Sequence, residues 1–402
     1  MACKKIIYII SPRSAFSWNP GRKISSIIDL WSKNHDLTTF FGGDIIKGNS
    51  KESITYGNAN IHAKSYNNIK LLKPLVHTYS EIKDIIHNLK SYLYLHKKYK
   101  KGSFDLVWER SSRLHFAGLI YAKKHGVPYV LEWKDNLINY KFSFLKFLSL
   151  YVEKYKCEQA NKIVVESNVL KVMLTDMGYD AEKIFVAYNA ADADLFERNE
   201  SERINYRDKL NIDLSTTVVG YLGSFAFYHN STLFVKAAQA IKEQHGLMPI
   251  VFIMVGDGLE YKQCFELAEE YSFDDNYFKF LPPVSKEEVP NILSAIDVSV
   301  LPGSTTIISP IKVLEYMASG TATLVPDYEC NREIIIDDEN GSLFVPNDEF
   351  DLAKKIIKFA NDKNLSTEVS MKAVHTAKVE FSWANTWGNT LEKVFQDLDK
   401  GQ

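Results

Sequence analysis

The chain has 402 residues, of which 46% are hydrophobic, and its formal net charge is −2. This length predicts two domains with ordinary apolar cores, and the near-zero charge gives no reason to expect non-specific binding of nucleic acid. The sequence has no apolar run of the roughly 20 residues that cross a bilayer, and its four scattered cysteines argue against a disulfide framework or a zinc site and fit a reducing cytoplasm.

The first half of the chain alternates apolar runs with stretches of helical periodicity. The run Lys5–Ser11 is too short for the apolar region of a signal peptide and predicts a buried strand. A helix is predicted after it from the spacing of Ile24, Ile27, Ile28 and Trp31. Further strands are predicted at Phe104–Glu109, Tyr129–Trp133, Lys162–Val165 and Lys183–Tyr188, with helices at Leu114–His125 and Phe144–Ala160.

The second half repeats this alternation. Strands are predicted at Thr216–Leu222, Pro249–Val255, Tyr277–Leu281, Val298–Leu301 and Thr321–Val325, and helices at Thr232–Gln244, Leu259–Tyr271, Lys286–Ala295 and Pro310–Ser319. The pattern predicts an α/β fold in which each half is a doubly wound parallel sheet. The polar segment Asn189–Asp213 is interpreted as the connection between a domain of residues 1–188 and one of residues 189–402. We expect the ligand in a cleft between them, at the carboxyl ends of the strands.

The segment Ser309–Gly320 is the most informative part of the sequence. It follows an apolar strand and a short loop. Ser309 suits the N-cap of a helix, Pro310 its first position, and Gly320 the residue just past its end. A strand, a loop and a capped helix make a natural anion site, because free N–H groups and the helix dipole converge on the loop.

The side chains of this helix suggest which anion it binds. Ser309, Lys312 and Glu315 recur every three residues and share one face, which we expect to meet solvent. The face expected against the sheet holds Ile311, Leu314 and Ala318. A hydroxyl, a cation and a carboxylate suit a nucleotide diphosphate, with the cation on phosphate and the carboxylate accepting from ribose hydroxyls. The alternative is an exposed helix carrying a Lys312–Glu315 ion pair.

Seven segments carry a family resemblance through their order and spacing. They are Val107–Arg110, Val127–Glu132, Ala160–Ser167, Ile184–Asp192, Val218–Phe225, Val255–Gly258 and Ser309–Gly320. Together they resemble the retaining glycosyltransferases of family 4 (glycosyl transferases group 1), which have the two-Rossmann GT-B architecture. A dehydrogenase is disfavoured because no G-x-G-x-x-G opens a helix after the first strand.

The resemblance implies retaining transfer of a sugar from a UDP- or GDP-linked donor to a hydroxyl acceptor. It implies no cofactor beyond the donor, no metal, and a last helix, at about residues 383–398, that packs back on the first domain. By family habit the acceptor is a glycan or lipid-linked glycan of bacterial surface polysaccharide synthesis, and the enzyme is cytoplasmic. Two alternatives stay open, a nucleotide-sugar epimerase of the same architecture and a non-catalytic relative that binds sugar nucleotides.

The resemblance also implies roles for the donor segment. Glu315 is expected to bind the ribose, and Lys312 to stabilise the departing diphosphate together with N–H groups at the helix start. Ile307 stands where the family has the first glutamate of its Glu–x7–Glu motif, so another group must contact the donor sugar. The implied donor contacts in this segment are Thr305, Thr306, Ile307, Ser309, Pro310, Ile311, Lys312 and Glu315.

Two turns are implied to approach the donor from the other side. Gly256 belongs to the V-G-x-G turn of the family, and Gly223 begins the turn that reaches the phosphates. Ser224 and His229 stand in this second turn, where many members carry an arginine and a lysine. His229 is interpreted either as a donor to phosphate or as a solvated turn residue.

The acceptor-side candidates lie after strands of the first domain. Gly21 and Arg22 end the loop after the first strand, where the family brings a glycine-rich loop to the reacting sugar. Asp135 is expected to orient or deprotonate the acceptor hydroxyl. The remaining candidates are Glu109, Arg110, Glu132 and Lys134, of which Glu109 and Arg110 are alternatively paired with each other.

The segment Tyr140–Leu148 interleaves aromatic residues with lysines. A lipid-linked acceptor would require contact with the inner face of the membrane, and this segment is the candidate for it. A helix that packs on the core, with lysines reaching to solvent, explains the pattern equally well.

Overall fold

The computed structural model describes residues 3–11, 20–41, 44–47, 73–134, 144–308 and 310–400, with the backbone alone for residues 20–22, 44–47 and 73. The chain forms two compact units. The first comprises Met1–Glu166, Leu170–Ala187 and Trp387–Gln402, and the second comprises Ser167–Val169 and Tyr188–Thr386. Each unit has one sheet with helices around it, as the two-Rossmann prediction requires. No helix in the described ranges combines the length and the hydropathy needed to cross a membrane.

The sheet of the first unit has seven strands in the order β3-β2-β1-β4-β5-β6-β7. Its strands are β1 (Lys5–Ile10), β2 (Asp36–Phe41), β3 (Asp44–Lys47), β4 (Leu106–Arg110), β5 (Tyr129–Glu132), β6 (Lys162–Val165) and β7 (Ile184–Val186). The helices are α1 (Pro20–Trp31), α2 (Lys73–Lys98), α3 (Ala117–His125), α4 (Lys146–Gln159), α5 (Asn168–Asp176) and α15 (Asn389–Lys400). β3 runs antiparallel to β2, and the other pairs are parallel.

The sheet of the second unit has six parallel strands in the order β10-β9-β8-β11-β12-β13. These are β8 (Thr217–Leu222), β9 (Ile250–Val255), β10 (Phe278–Leu281), β11 (Val298–Val300), β12 (Ala322–Pro326) and β13 (Ser342–Phe344). The helices are α6 (Ala193–Phe196), α7 (Glu200–Lys209), α8 (Ser231–His245), α9 (Tyr261–Glu270), α10 (Val289–Ser294), α11 (Ile311–Ala318), α12 (Glu329–Arg332), α13 (Glu349–Asn361) and α14 (Lys363–Val379). β8 and β9 are buried throughout, as expected for parallel strands covered on both faces.

The last helix, α15, completes the core of the first unit. Trp387, just before it, packs near Trp108 of β4, and Trp108 lies edge-on to Trp31 of α1 with ring centroids 4.7 Å apart. The indole of Trp31 donates to the carbonyl of Trp387 at 3.4 Å. Residues from the beginning and the end of the sequence therefore share one aromatic cluster.

The structure departs from the sequence-based prediction in both units. The first sheet has an antiparallel edge strand, β3. The segment between Trp31 and Phe104, where no element is predicted, contains β2, β3 and the 26-residue helix α2. The segment Asn189–Asp213, for which no regular element is predicted, contains α6 and α7 and lies in the second unit.

A buried ionic cluster explains why Asn189–Asp213 packs on the second unit. Arg207 of α7 is fully buried, and its guanidinium donates to Asp297 at 2.5 Å. Asp297 also accepts from Arg203 at 2.8 Å and from the N–H of Val218 in β8 at 2.8 Å. Although burial raises the pKa of Asp297, these cations hold it below its ordinary value. Arg203 and Arg207 are therefore structural groups that fix this segment to the second unit.

Replacement of Asp297 tests this cluster. Asp297→Ala leaves two guanidinium groups without their carboxylate, so we expect a loss of about 3 kcal/mol in the free energy of unfolding of the second unit. The matched control is Asp327→Ala, which breaks a more exposed pair with Arg332 and should cost less than about 1 kcal/mol. Urea unfolding measures both, and equal losses would contradict the structural role of Asp297.

Candidate functional site

The predicted strand, loop and helix of the donor segment are present. β11 leads into a loop that ends at α11, and Gly320 follows the helix with φ of +68°. The helix begins one residue later than predicted, because Pro310 occupies the N-cap with ψ of 147°. Ser309 lies outside the described residues. Pro310 has no N–H and its carbonyl accepts from Val313, so the N–H groups of Ile311 and Lys312 are those without an intrahelical acceptor.

The expectation that one face of α11 meets solvent was wrong. Glu315 is only 7% exposed, and every residue from Val313 to Ala318 is buried. The helix packs against β12 on one side and against α14 on another, which leaves only its first turn partly accessible. Ile311 and Lys312, in that turn, are half-buried. A ligand of this helix would therefore be held at its N-terminal end.

Lys312, His229 and Gly303 form a hydrogen-bonded chain at this end of the helix. Nδ1 of His229 lies 3.0 Å from the carbonyl oxygen of Gly303, and Nε2 lies 3.1 Å from Nζ of Lys312. A carbonyl only accepts, so Nδ1 carries the proton, and Nε2 accepts from the Lys312 amine. His229 therefore positions the amine. Its side chain is buried, so the interpretation as a solvated turn residue was wrong, whereas donation to phosphate stays a prediction.

Two glycines let the turns come close to Lys312. A Cβ on Gly223, which follows β8, would lie 2.4 Å from Nζ of Lys312. Gly256, which follows β9, has φ of +134°, and a Cβ there would lie 2.0 Å from the carbonyl oxygen of Gly223. Only residues without a side chain fit these two positions. The Lys312 amine therefore lies against the turn that follows β8.

Burial sets the protonation of both polar groups. It lowers the pKa of Lys312 to about 8, against an opposing effect of the Glu315 carboxylate. Burial, followed by the nearby Lys312 charge, lowers the pKa of His229 to about 3. At neutral pH the pair is therefore a cationic lysine beside a neutral histidine. This arrangement presents a positive charge at the carboxyl end of β8, where it can bind an anion.

A tyrosine and the 303–308 loop complete this region. The hydroxyl of Tyr316 donates to the carbonyl of Leu222 at 2.8 Å and accepts from its N–H at 3.0 Å, which fixes α11 to the end of β8. The hydroxyl of Thr305 donates to the carbonyl of Ile308 at 3.2 Å, and the carbonyl of Ile307 accepts from Ser167 at 2.5 Å. Thr306 and Ser224 are exposed. Sequence analysis missed Tyr316, although it lies one residue after Glu315.

The acceptor-side candidates of the first unit form a buried ionic network. Glu132 at the end of β5 is fully buried; its carboxylate accepts from Arg110 of β4 and, at 2.8 Å, from the hydroxyl of Tyr8. Glu166, just past β6, lies 2.6 Å from Lys23. The network therefore contains three members, Tyr8, Lys23 and Glu166, that sequence analysis did not select. Each of the three is a polar residue within or next to a predicted strand or helix, and this position could have identified it from the sequence.

Glu109 and Arg110 do not pair with each other. Successive side chains of a strand point to opposite faces of the sheet, so the two residues have different partners. Glu109 lies 2.7 Å from Nδ1 of His115 and accepts from the hydroxyl of Tyr129 at 2.8 Å. Glu109 is therefore a structural group on the α3 side of the sheet, and its predicted acceptor role has no geometric support.

Two charges of the network have strongly shifted pKa values. Burial raises the pKa of Glu166, but Lys23, Arg110 and Lys134 together lower it to about 2. Burial and the charge of Arg110 lower the pKa of Lys134 to about 7. Lys134, which is half-buried two residues past β5, therefore carries a labile proton near neutral pH.

The other acceptor-side candidates have less structural support. Asp135 lies outside the described residues. Gly21 and Arg22 lie in the first turn of α1, whose backbone begins at Pro20, so the prediction that they end a loop was wrong. Pro20 explains the difference, because proline is favoured in the first turn of a helix.

Comparison with known proteins identifies the family of this fold. Residues 202–375 match the model of glycosyl transferases group 1, and residues 55–195 match the model of glycosyltransferase family 4. The chain belongs to the GT-B glycosyltransferases. The first match covers the donor helix, and the second covers β4, β5 and β6.

Curated relatives of this glycosyltransferase are identical to it at about a quarter of the aligned positions. It is 26% identical to the UDP-Gal:alpha-D-GlcNAc-diphosphoundecaprenol alpha-1,3-galactosyltransferase of Escherichia coli, over 70% of this chain and 73% of that protein. It is 25% identical to the N,N'-diacetylbacillosaminyl-diphospho-undecaprenol alpha-1,3-N-acetylgalactosaminyltransferase of Campylobacter jejuni, over 72% and 76%.

Solved structures share the fold. HepE of Anabaena, in complex with UDP, superposes with a TM-score of 0.73 at 17% identity, covering 98% of this chain and all of that one. Sucrose-phosphate synthase of Thermosynechococcus elongatus superposes with a TM-score of 0.71 at 16% identity, covering 99% of this chain and all of the other.

The close approach at Gly256 is testable. Gly256→Ala adds a Cβ that collides with the Gly223 carbonyl, whereas Gly246→Ala, the matched control, adds one at φ of +69° with no atom within 4 Å. Both changes strain the backbone, but only the first crowds the turn, so we expect it to cost a further 1–3 kcal/mol, roughly, in the free energy of unfolding. Thermal or urea unfolding measures the difference, and equal costs would contradict the close approach.

Proposed function

We propose that this glycosyltransferase moves a sugar from a nucleotide-diphosphate donor to a hydroxyl acceptor with retention at the anomeric carbon. The observation that carries the donor part is the Lys312 amine, held by His229 against Gly223 at the start of α11. Retention rests on the resemblance to family 4. The donor is UDP-linked in this proposal, because HepE, a structural neighbour, was solved with UDP and with UDP-glucose.

The donor diphosphate would lie between the Gly223 turn and the N-terminal end of α11. Its negative charge would meet the Lys312 amine and the N–H groups of Ile311 and Lys312. When the bond from the sugar to the diphosphate breaks, charge accumulates on the departing group, and a cation already in place lowers the barrier. Lys312 would therefore act on the leaving group, on the same face of the sugar that the acceptor attacks.

Glu315 would bind the ribose hydroxyls of the donor. It lies one turn beyond Lys312, and its carboxylate is almost completely buried in the second unit. The resemblance to family 4 implies that this carboxylate accepts hydrogen bonds from the ribose hydroxyls when the donor is bound. Ser224, Thr305 and Thr306 would be available for the sugar, in place of the glutamate that Ile307 replaces. Pro310 and Gly256 would shape the site without contributing a side-chain donor.

The acceptor would be a lipid-linked glycan of surface polysaccharide synthesis, used at the inner face of the membrane. The names of the E. coli and C. jejuni relatives describe transfer onto undecaprenol diphosphate-linked sugars. In the first unit, Lys134, which is half-buried two residues past β5, would attract an acceptor diphosphate in its protonated form. Asp135 remains the proposed group that orients the acceptor hydroxyl. No cofactor or metal is required by this scheme.

A donor screen tests the proposal. We expect UDP and UDP-sugars to raise the melting temperature more than GDP or CMP do, with a dependence on concentration that gives the affinity. Glu315→Ala should weaken the binding of UDP by roughly 1–3 kcal/mol, because it removes a charged hydrogen-bond acceptor. Glu329→Ala, an exposed carboxylate of the same unit, is the control and should not change the affinity.

Transfer itself is measured with a synthetic lipid diphosphate-linked sugar as acceptor. NMR of the product should give the same anomeric configuration as the donor. Stabilisation by nucleotide without transfer to any acceptor would reject the proposed reaction, and an inverted anomeric carbon would reject retention.

The pKa of Lys312 predicts how donor affinity depends on pH. The amine is charged below a pKa of about 8, and only the charged form attracts the diphosphate. Affinity for UDP-glucose, whose diphosphate does not titrate near neutral pH, should therefore be constant below about pH 7 and fall toward tenfold per pH unit well above pH 8. Lys312→Arg, which stays charged, should remove this decline. Calorimetric titration from pH 6 to pH 9.5, roughly, measures both, and a decline shared by the arginine variant would exclude Lys312 as its source.

A further inference from the structure

Helix α2 exposes its apolar side. Six apolar residues recur at intervals of three or four, which places them along one face of the helix, and each is between 46% and 61% exposed: Leu75, Tyr79, Ile82, Ile86, Leu89 and Leu93. The helix has 26 residues and is therefore about 39 Å long. Exposed apolar residues are common singly, but a continuous stripe of this length marks an interaction surface.

The opposite face of α2 is polar and buried. Glu81, Asn88 and Ser91 are each less than a tenth exposed. Asn88 accepts from the N–H of Phe116 at 2.8 Å, Ser91 lies 3.2 Å from His115, and Asp84 accepts from Arg113 at 2.9 Å. These bonds fix the orientation of the helix on the first unit. A rotation of the helix that buried the apolar stripe would break these hydrogen bonds. The bonds therefore keep the stripe on the outer side of the helix.

The charges beside the stripe are all positive. Lys83, Lys90 and Lys97 are exposed and recur every seven residues along one edge of it, whereas the two acidic residues of the helix, Glu81 and Asp84, are turned toward the protein. We propose that the exposed face of α2 docks on the surface of an anionic lipid bilayer. Apolar side chains enter the boundary between headgroups and acyl chains, and the lysines meet lipid phosphates.

The same charges disfavour a second copy of the chain as the occupant. If the stripe were the seam of a two-helix coiled coil, the three lysines would occupy the flanking positions that normally form interhelical ion pairs. An antiparallel pair would bring lysine against lysine, and a parallel pair would place them opposite Thr78, Ile85 and Tyr92. Neither arrangement places a carboxylate beside the three lysines, whereas an anionic bilayer presents phosphate groups to all of them.

The beginning of α4 adds a second apolar patch in the same unit. Phe147 is 84% exposed, and Phe144 and Tyr151 are exposed as well, so the core-packing interpretation of this part of Tyr140–Leu148 was wrong. Residues 140–143 lie outside the described residues. Both helices are attached to the segment that follows β4, since Ser111 donates to Glu153 of α4 at 3.0 Å while Arg113 binds Asp84 of α2. One segment of the first unit therefore anchors both helices that carry the exposed apolar patches.

The surface would bring the enzyme to a lipid-linked acceptor, and this purpose rests on the proposed function. The binding of the surface to lipid is measured without donor or acceptor. The full-length chain is sedimented with vesicles of phosphatidylglycerol and phosphatidylcholine, and with vesicles of phosphatidylcholine alone. We expect binding to the anionic vesicles that weakens as salt is added, and little binding to the neutral ones.

Two variants separate the apolar and the electrostatic parts. Leu75→Gln/Ile82→Gln/Ile86→Gln/Leu89→Gln and Lys83→Glu/Lys90→Glu/Lys97→Glu should each lower vesicle binding by at least about tenfold. The control, Leu247→Gln/Leu259→Gln/Met371→Gln, changes exposed apolar residues of the second unit and should leave binding unchanged. Circular dichroism and the UDP thermal shift verify that each variant is folded.

Three results would overturn the proposal: no binding of the parent chain to anionic vesicles, binding that survives in both α2 variants, or an equal loss in the control. A parent chain that is dimeric by analytical ultracentrifugation, becomes monomeric in the glutamine variant and ignores vesicles would assign the surface to a second copy. Vesicle binding with no sugar transfer would uphold this inference while rejecting the proposed reaction.

Discussion

The donor half of this enzyme depends on how one lysine is accommodated. The amine of Lys312 lies where a side chain at Gly223 would otherwise be, and His229 accepts a hydrogen bond from it. A buried cation is unfavourable in the folded chain and becomes favourable when an anion arrives. The lowered pKa of Lys312 reflects that cost directly. Folding thus prepares an electrostatic site that a diphosphate would complete, which is the form of preorganisation that lowers barriers for developing negative charge.

The turn after β8 carries Ser224 and His229 and has no lysine or arginine, where the resemblance to family 4 implies basic residues. The cation comes instead from α11, whose position is fixed by the two hydrogen bonds between Tyr316 and Leu222. A binding site can keep its charge when a different helix or turn supplies it, provided that the charge occupies the same position.

The regular elements were predictable wherever buried parallel strands gave unbroken apolar runs. The strands from β8 to β12 begin and end within one residue of the predicted positions. Lys312, Glu315, Gly223 and Gly256 were selected from motifs, and Lys312 and the two glycines do converge. The role of His229 was not predictable, since it depends on the carbonyl of Gly303, 74 residues away in the sequence.

Burial of charge caused the remaining errors. The helices within Asn189–Asp213 were not predicted because the segment is polar, and the burial of Arg207 against Asp297 could not be recognised from the sequence. Helix α2 was missed although its apolar residues are periodic. Its inward face is polar, so it does not carry the hydrophobic contact to the core that usually accompanies such a pattern. Glu132 and Arg110 were selected separately as strand-end residues, and their contact across β4 and β5 could not be predicted without the strand order.

The aromatic cluster of the first unit has a consequence for synthesis of the chain. The Lys23 amine stacks on the ring of Trp387 at 3.9 Å, and Thr390 of the last helix donates to Val186 at 3.4 Å. A ribosome makes Lys23 early and Trp387 only after the whole second unit. Until Trp387 has been made, the apolar surface beside Trp108 and the charges near Lys23 remain accessible to water. The unit whose translation begins first is therefore completed last. Its incomplete core stays exposed while the second unit is made.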